Sequence, residues 1–549
     1  MINVTIDGKQ IKLEKPAQVK DLFDNTDRKI IGCRVNNTVR SLVYYIEKDS
    51  NIELFELASQ EGSRMVEASM RYIVAMAAKN VLPKAKICYN YSVSRSIFAS
   101  VSNIGHAFTN DNFMMIKNEV ERLISLDLPI NYIKKTKEEL IEYYDKIGYH
   151  EKTITLIKYE PRKKLSLYEC DGYMNYMYNP LVSSTGFLKK YSLRLYAPGF
   201  LISYPRFECK GELPQIEDER AFRAALKEAN KWANTIKNES ISQLNNLIED
   251  GRALELINLC ETRHNTQFTH LGDKIEDHIE NIKVICVAGP SSSGKTTFTN
   301  RLKIELKSRG IEPFMISMDN FYKLSDYPLD EDGQPDLEHI NALNLDLFDQ
   351  TILKLVSGEA TRLPIFDFEE KKITFTEPQK LNKNQPILIE GIHGLNPEII
   401  PSIPEEEKYR IYIAPLGQYR YDIHNPLSIS DLRLMRRIVR DHQFRNTDAD
   451  KTIKSWSSVR KGEFKWIYPY QNNADFVFNS ELSYEVPVMK SMIVPLLEAV
   501  ERDSSSFNTA RRLLKFLGYF LDITEKWVPS SSILREFIGE SIFYTADKK

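Results

Sequence analysis

The sequence predicts a multidomain protein. α+β folds fill its N-terminal half, and an α/β fold with a doubly wound parallel sheet fills its C-terminal half. Three observations carry this expectation. The chain has 549 residues, too many for one hydrophobic core. Up to residue 215, short strand-forming runs mix with helical runs in no regular alternation. From residue 283 apolar strands alternate with helices, the pattern of a parallel sheet covered on both faces.

Within residues 1–58, Val4, Ile6, Ile11 and Leu13 flank the turn Asp7-Gly8, a hairpin signal. VKDLF then reads as a short helix, and IIGCRVNN and IELFEL as strands. Residues 61–80 carry apolar residues at helical spacing, and Pro83 ends that helix. The strands KICYNYSV and SIFASV follow. Residues 110–126 form an amphipathic helix, with Asn110 or Asp111 as the expected N-cap and Phe113, Ile116, Val120 and Leu123 on one stripe. The stretch 160–215 is rich in Tyr and strand formers, and 217–262 reads as one or two connecting helices. In the last part VICVAG, PFMISMD, PILIEG, YRIYIA and ADFVF are the five strands, with a helix over 295–308 after the first. The amphipathic stretch 508–523 is expected to pack on this domain or on a second subunit.

Composition excludes some classes. The 74 basic residues against 76 acidic ones leave a net charge of -2, so the chain has no global basic excess for a dedicated nucleic-acid binder. The six cysteines form no C-x-x-C pair, and they read as reduced thiols in a cytoplasmic protein. The N-terminus lacks the basic start and apolar run of a signal peptide, and no apolar stretch is long enough to span a membrane. His264, His270 and His278 are too loosely spaced for a metal site.

One motif carries chemistry. Gly289-Pro290-Ser291-Ser292-Ser293-Gly294-Lys295-Thr296 fits G-x-x-x-x-G-K-[ST] after a strand and before a helix. Its glycines let the loop curl so that backbone N–H groups face phosphate oxygens, and the helix N-terminus adds its positive end. Gly289, Ser291, Ser292, Ser293, Gly294, Lys295, Thr296 and Thr297 are the expected ATP cradle. Lys295 would reach the β- and γ-phosphates, and the Thr296 hydroxyl would ligate Mg²⁺. No N-K-x-D string is present to read guanine.

Asp319, at the end of the second strand, would face the ligand crevice and act as base toward an acceptor hydroxyl. Glu390, after the third strand, suits a Mg²⁺ ligand, usually through water. Arg433, Arg436, Arg437 and Arg440 share a helix face, and Arg445 and Arg460 follow. This segment is expected to form a lid whose guanidiniums stabilise the transferring phosphoryl group, with Arg436, Arg440 and Arg445 as the catalytic candidates. A solvated helix face and an RNA patch are the other readings of the same charges.

Through GPSSSGKTTF, ISMDNFYK, PILIEGIHGL and DLRLMRRIVRD followed by ADFVFN, residues 283–495 resemble the uridine kinase / phosphoribulokinase group of P-loop kinases. The resemblance implies ATP and Mg²⁺ as cofactors, with Asp319 as base and Thr296, Asp319 and Glu390 around the metal. Asp336 falls where uridine kinases place an acid that binds sugar hydroxyls. Uridine kinases carry a tyrosine in P-x-Y-D-F and a histidine five residues later; here Phe366 and Lys371 stand instead. Phe366 could stack on a base, and Lys371 suits an acidic or phosphorylated acceptor. Tyr322, in ISMDNFYK, completes the candidate acceptor contacts.

The N-terminal half resembles the editing region of threonyl-tRNA synthetase, with residues 1–60 similar to its TGS domain, a small β-grasp module. EASMRYIVAMAAKNVLP and FTNDNFMMIKNEVERLISLDLPI carry the likeness in 61–215. That family uses an H-x-x-x-H pair and a C-x-x-x-H pair. Here no histidine lies between Arg64 and Ala78, and Met174 follows Cys170 where the histidine would stand. The resemblance implies a retired editing domain, kept as scaffold or regulatory module. The expected division is 1–60, 61–215, a connector 216–282, the kinase 283–495 and a helical tail 496–549. The expected activity is transfer of the γ-phosphate to a nucleoside-like hydroxyl, in a homo-oligomer. The alternatives are an RNA-linked P-loop switch and a kinase for a phosphorylated sugar or pantothenate-like acceptor.

Overall fold

The computed structural model describes residues 1–215, 220–329, 333, 335–367, 370, 372–417 and 419–543. The hairpin read around Asp7-Gly8 is β1 (Ile2–Ile6) and β2 (Lys9–Leu13). With β3 (Ile30–Val35), β4 (Val39–Ser41) and β5 (Ser50–Glu56) it builds a sheet of order β2-β1-β5-β3-β4, in which only β1 and β5 run parallel. VKDLF supplies a single 3-10 turn over Val19–Asp21 rather than an α-helix.

Helix α1 (Gln60–Val81) starts at Ser59, whose hydroxyl accepts the Gly62 N–H, and its centre is buried on nearly every side. It lies beside β6 (Lys86–Val93) and β7 (Ser96–Ser102). Helix α2 (Asn110–Ser125) is capped by Thr109, one residue before the expected position. Thr109 and Asn112 satisfy each other's backbone N–H in a capping box, which neither Asn110 nor Asp111 could complete. The stretch 127–160 holds β8 (Asn131–Thr136), α3 (Lys137–Lys146) and α4 (His150–Tyr159). Strand β9 (Lys164–Cys170) pairs with β8 on one side and with β10 (Tyr173–Asn175) on the other, while β11 (Ser192–Tyr196) and β12 (Gly199–Ser203) extend the β6–β7 sheet. The connector holds three helices, not one or two: α5 (Arg220–Thr235), α6 (Ile241–Glu249) and α7 (Ala253–Glu276).

The C-terminal half is built on five parallel strands. These are β13 (Val284–Ala288), β14 (Phe314–Ser317), β17 (Ile387–Glu390), β18 (Lys408–Ala414) and β21 (Phe476–Asn479), in the order β14-β17-β13-β18-β21. The hairpin β15 (Pro364–Asp367) with β16 (Lys372–Phe375) stands apart from them. Strand β13 is central, so all five of its residues are buried. Helix α8 (Lys295–Ser308) leaves β13 and covers the sheet with α7. Phe268, Phe298 and Phe478 meet there, with centroids 4.8 to 5.2 Å apart. The remaining helices are α9 (Leu345–Val356), α10 (Ile429–Arg445), α11 (Ala449–Trp466), α12 (Glu485–Glu498), α13 (Phe507–Leu517) and α14 (Arg535–Ile538).

A small hairpin, β19 (Arg420–Asp422) and β20 (Asn425–Pro426), plugs the C-terminal half into the N-terminal half. Lys152 and Asp422 form an ion pair at 2.9 Å with side chains 2% exposed. Asn175 bonds the His424 ring at 2.9 Å, and Tyr149 meets that ring edge-on at 4.9 Å. Breaking one side of such a buried pair costs about 3–5 kcal/mol, so the hairpin anchors one half to the other. Near it Tyr72, on α1, is fully buried and donates to the Tyr173 carbonyl at 2.7 Å. Cys170 is fully buried too, and burial pushes its thiol up to about 12. Among the described residues no group of three His, Cys, Asp or Glu could hold a metal, and no helix is long and apolar enough to cross a membrane.

Candidate active site

The loop 289–296 joins β13 to α8, as its spacing requires. A Cβ on Gly289 would come within 2.1 Å of the Ile413 carbonyl oxygen, so the loop can lie on β18 only with glycine there. Gly294 caps α8 at φ +93, the left-handed region that glycine enters freely. The Lys295 ammonium curls back onto the Gly289 and Pro290 carbonyls at 2.9 and 3.3 Å. Burial holds Lys295 below the usual lysine range, against the pull of Glu390 and Asp319. The hydroxyls of Ser292, Ser293 and Thr297 are buried with no hydrogen-bond partner, an unfilled polar cradle.

The acidic groups meet at one sheet edge. Glu390 pairs in register with Val287 of β13 and with Ser317 of β14, two residues before Asp319. The Thr296 hydroxyl lies 3.4 Å from Glu390 Oε1, while Glu390 Oε2 is buried without a partner. Burial, then repulsion from Asp319, pushes the Glu390 carboxyl up to about 7. Asp319 opens onto the cleft, but the surrounding walls raise its carboxyl above the usual range, with Lys295 and Arg445 pulling the other way. A third carboxyl that the sequence reading missed, Glu338, is pushed up to about 7 by burial and then by Glu463. Glu390 and Asp319, beside the Thr296 hydroxyl and the Lys295 ammonium, are two acids held against ionisation by burial, a pair that a divalent cation would favour in its charged form.

Helix α10 is less a hinged lid than a buttress. Arg436 is fully buried, paired with Glu485 at 3.0 Å and donating to the Ser480 carbonyl at 2.8 Å and the Ser292 and Ser293 carbonyls at 3.3 and 3.4 Å. It therefore grips the loop from behind, where four acceptors leave its guanidinium no donor for the cleft. Arg433 does likewise, bonding the Ser291 carbonyl at 2.8 Å and Glu463 at 3.0 Å. Arg437 reaches the Ser291 hydroxyl at 3.0 Å. Arg440 and Arg445 gather on Asp441, at 2.8 and 3.7 Å, and Arg445 lies near enough to Asp319 to feel its charge.

On the acceptor side, Tyr322 donates to the Leu337 carbonyl at 3.1 Å and its ring meets Phe366 at 6.2 Å. The Phe366 N–H donates to Asn320 Oδ1 at 3.3 Å, so that hairpin is tied to the Asp319 turn. Asp336 accepts the Glu338 N–H at 3.1 Å and so shapes the same wall. Lys371 lies outside the described residues. His393 is buried against Trp466, and burial lowers its ring to about 3.

The chain's own C-terminal segment enters the cradle. The Thr297 N–H, in the first turn of α8, donates to Glu536 Oε2 at 2.9 Å. A Cβ on Gly294 would lie 2.4 Å from Ile533, and the Arg436 guanidinium sits 5.1 Å over the Phe537 ring. Sequence spacing gave no sign of this contact.

A phosphate loop at the head of a parallel sheet, with acids gathered at the next strand ends, defines a P-loop kinase. Residues 284–486 match the model of the Phosphoribulokinase / Uridine kinase family. The uridine kinase of Borrelia duttonii is 28% identical over 234 residues, 41% of this chain and 99% of that protein. The threonine–tRNA ligase of Clostridium tetani is 25% identical over 198 residues, 35% of this chain. The chain spans 31% of that ligase's length. A solved structure from Bacillus stearothermophilus, described as a possible uridine kinase, shares 17% identity over 38% of this chain and all of that one, with a TM-score of 0.22. The chain thus carries a domain of the phosphoribulokinase/uridine kinase family, fused to an N-terminal part similar to threonine–tRNA ligases.

Proposed function

We propose that the protein transfers the γ-phosphate of ATP to a hydroxyl of a nucleoside, uridine- or cytidine-like. The convergence of Lys295, Thr296, Asp319 and Glu390 at one edge of the sheet supports this reading most directly. Thr296, Asp319 and Glu390 would hold Mg²⁺, which supplies charge neutralisation on the phosphates. The unpaired Glu390 Oε2 and the partnerless loop hydroxyls fit that role. Lys295 leaves the loop carbonyls to bind the β- and γ-phosphates. Asp319 takes the acceptor proton as the acceptor oxygen bonds to the γ-phosphorus and the bridging oxygen departs with ADP. Arg440 and Arg445 stand on the cleft side for the transferring group, whereas Arg436 positions the loop. Tyr322, Asp336 and Phe366 would wall the nucleoside. The working division remains 1–60, 61–215, 216–282, 283–495 and 496–549, with the second segment a scaffold.

A coupled ADP-release screen tests this. ATP and Mg²⁺ are offered with nucleosides, sugars and pantothenate, and Lys295→Ala is the blank. Stimulation by uridine or cytidine is expected. Stimulation only by a phosphorylated sugar or pantothenate would move the specificity elsewhere.

A further inference from the structure

Between the synthetase-like part and the kinase lies a cavity of about 330 Å³, walled by α1, the β6–β7 turn, α10 and α11. Among the described residues eight cationic side chains line it against three carboxylates, Glu67, Glu208 and Asp431. Glu463 stands behind them and accepts from Arg433 and Arg460, so the lining carries more positive than negative charge.

The partners show where that surplus sits. Arg206 pairs with Glu208 and Arg512 with Asp431. Among the described residues Arg95 pairs with no carboxylate; it donates to Cys209 Sγ at 3.8 Å and lies 4.8 Å over the Phe464 ring, which Arg460 also covers at 4.6 Å. Arg64 has no hydrogen bond or ion pair among the described residues. Three further polar atoms on the wall are buried without partners: Ser63 Oγ, Arg71 Nε and Arg512 Nε. Burial, and then Arg512, lower the Arg64 guanidinium to about 10. Buried cations and unpaired donors are costly unless an anion meets them. The volume is at the lower end for small-ligand sites, and Tyr91, Tyr204 and Phe464 give the lining an aromatic wall beside the donors.

We propose that this interdomain cavity binds a small phosphate ester of mononucleotide size, with Arg64 and Arg95 receiving the phosphate and the aromatic wall receiving the base. The site is separate from the phosphate loop but shares its wall. Pro290 lines the cavity, and Arg433, which also lines it, holds the Ser291 carbonyl. Glu463 further accepts the Ser291 N–H at 3.3 Å. A ligand that draws Arg460 toward itself would therefore be felt in the loop.

The test is calorimetric titration of the full chain with AMP, using adenosine and inorganic phosphate as controls. Binding of one equivalent is expected, unchanged in Lys295→Ala and weakened about tenfold or more in Arg64→Ala, with Arg95→Ala following it. Thermal unfolding of both unliganded arginine variants should come at or above the parent's temperature. Arg64→Lys should fall between parent and Arg64→Ala. Absence of binding at millimolar ester, equal binding in Arg64→Ala, or adenosine or inorganic phosphate binding as tightly as AMP would each overturn the proposal. The readout needs no turnover, so it stands or falls apart from the kinase reading.

Discussion

Replacing Glu536 by glutamine should tighten ATP binding. In a phosphate loop the backbone N–H groups at the start of the helix cradle the α- and β-phosphates. Here the Thr297 N–H is held by the Glu536 carboxylate at 2.9 Å, within a segment whose Ile533 packs on Gly294. ATP cannot take that N–H until the carboxylate leaves. A hydrogen bond to a charged group contributes about 1.5–3 kcal/mol, roughly twice a neutral one, so the amide would retain about half. Glutamine also removes a negative charge from beside the incoming phosphates. That repulsion is about 4 kcal/mol per unit charge at 4 Å in a medium of effective dielectric 20, and solvent entry reduces it. Together these give about 1.5–3 kcal/mol, a tightening of about 10- to 150-fold. Calorimetric titration of parent and Glu536→Gln with a non-hydrolysable ATP analogue and Mg²⁺ reads this directly. Unchanged or weaker binding, with an unaltered melting temperature, would refute the competition.

Other expectations concern stability and the acceptor. Arg436→Ala leaves Glu485 buried and alone, so urea unfolding should show a loss of about 3–5 kcal/mol, and Arg436→Met with Glu485→Met should recover most of it. Burial and Glu485 push the Glu481 carboxyl up to about 7 from 4.5. The folded state therefore keeps a proton that the unfolded chain has lost between those values. Stability falls as pH rises through that window, by about 3 kcal/mol at most. Glu481→Gln should flatten that profile and be more stable than the parent at pH 8. Asp336→Asn should raise the KM for the nucleoside about tenfold and leave the KM for ATP within twofold, as measured by initial rates.

Much of the kinase half was legible because its signals are local. A strand, a Gly-rich loop and a helix fall consecutively in the sequence, and β13 and α8 follow from apolar runs and the loop glycines. Asp319 and Glu390 were legible as strand-end acids, since the parallel order puts such ends on one edge. The arginines of α10 misled in part. Spacing put four of them on one face but could not say that Glu463 and Glu485, from other helices, hold Arg433 and Arg436 beneath the loop. Glu536 was invisible for the same reason: nothing near it in sequence hints at Thr297. The cap of α2 fell on Thr109 because the capping box with Asn112 satisfies two backbone donors at once. The hairpin 419–426 has too few residues for any periodicity, and its role comes only from Lys152, Tyr149 and Asn175 across the interface.

The central claim is that Asp319 is the base of a nucleoside kinase. Turnover with uridine, ATP and Mg²⁺, measured for parent and Asp319→Asn at matched nucleotide occupancy, tests it most directly. The account predicts phosphorylated uridine and ADP in equal amounts from the parent, and turnover lower by about 10²–10⁴ in the variant with ATP affinity nearly intact. Parent-level turnover by Asp319→Asn would contradict it.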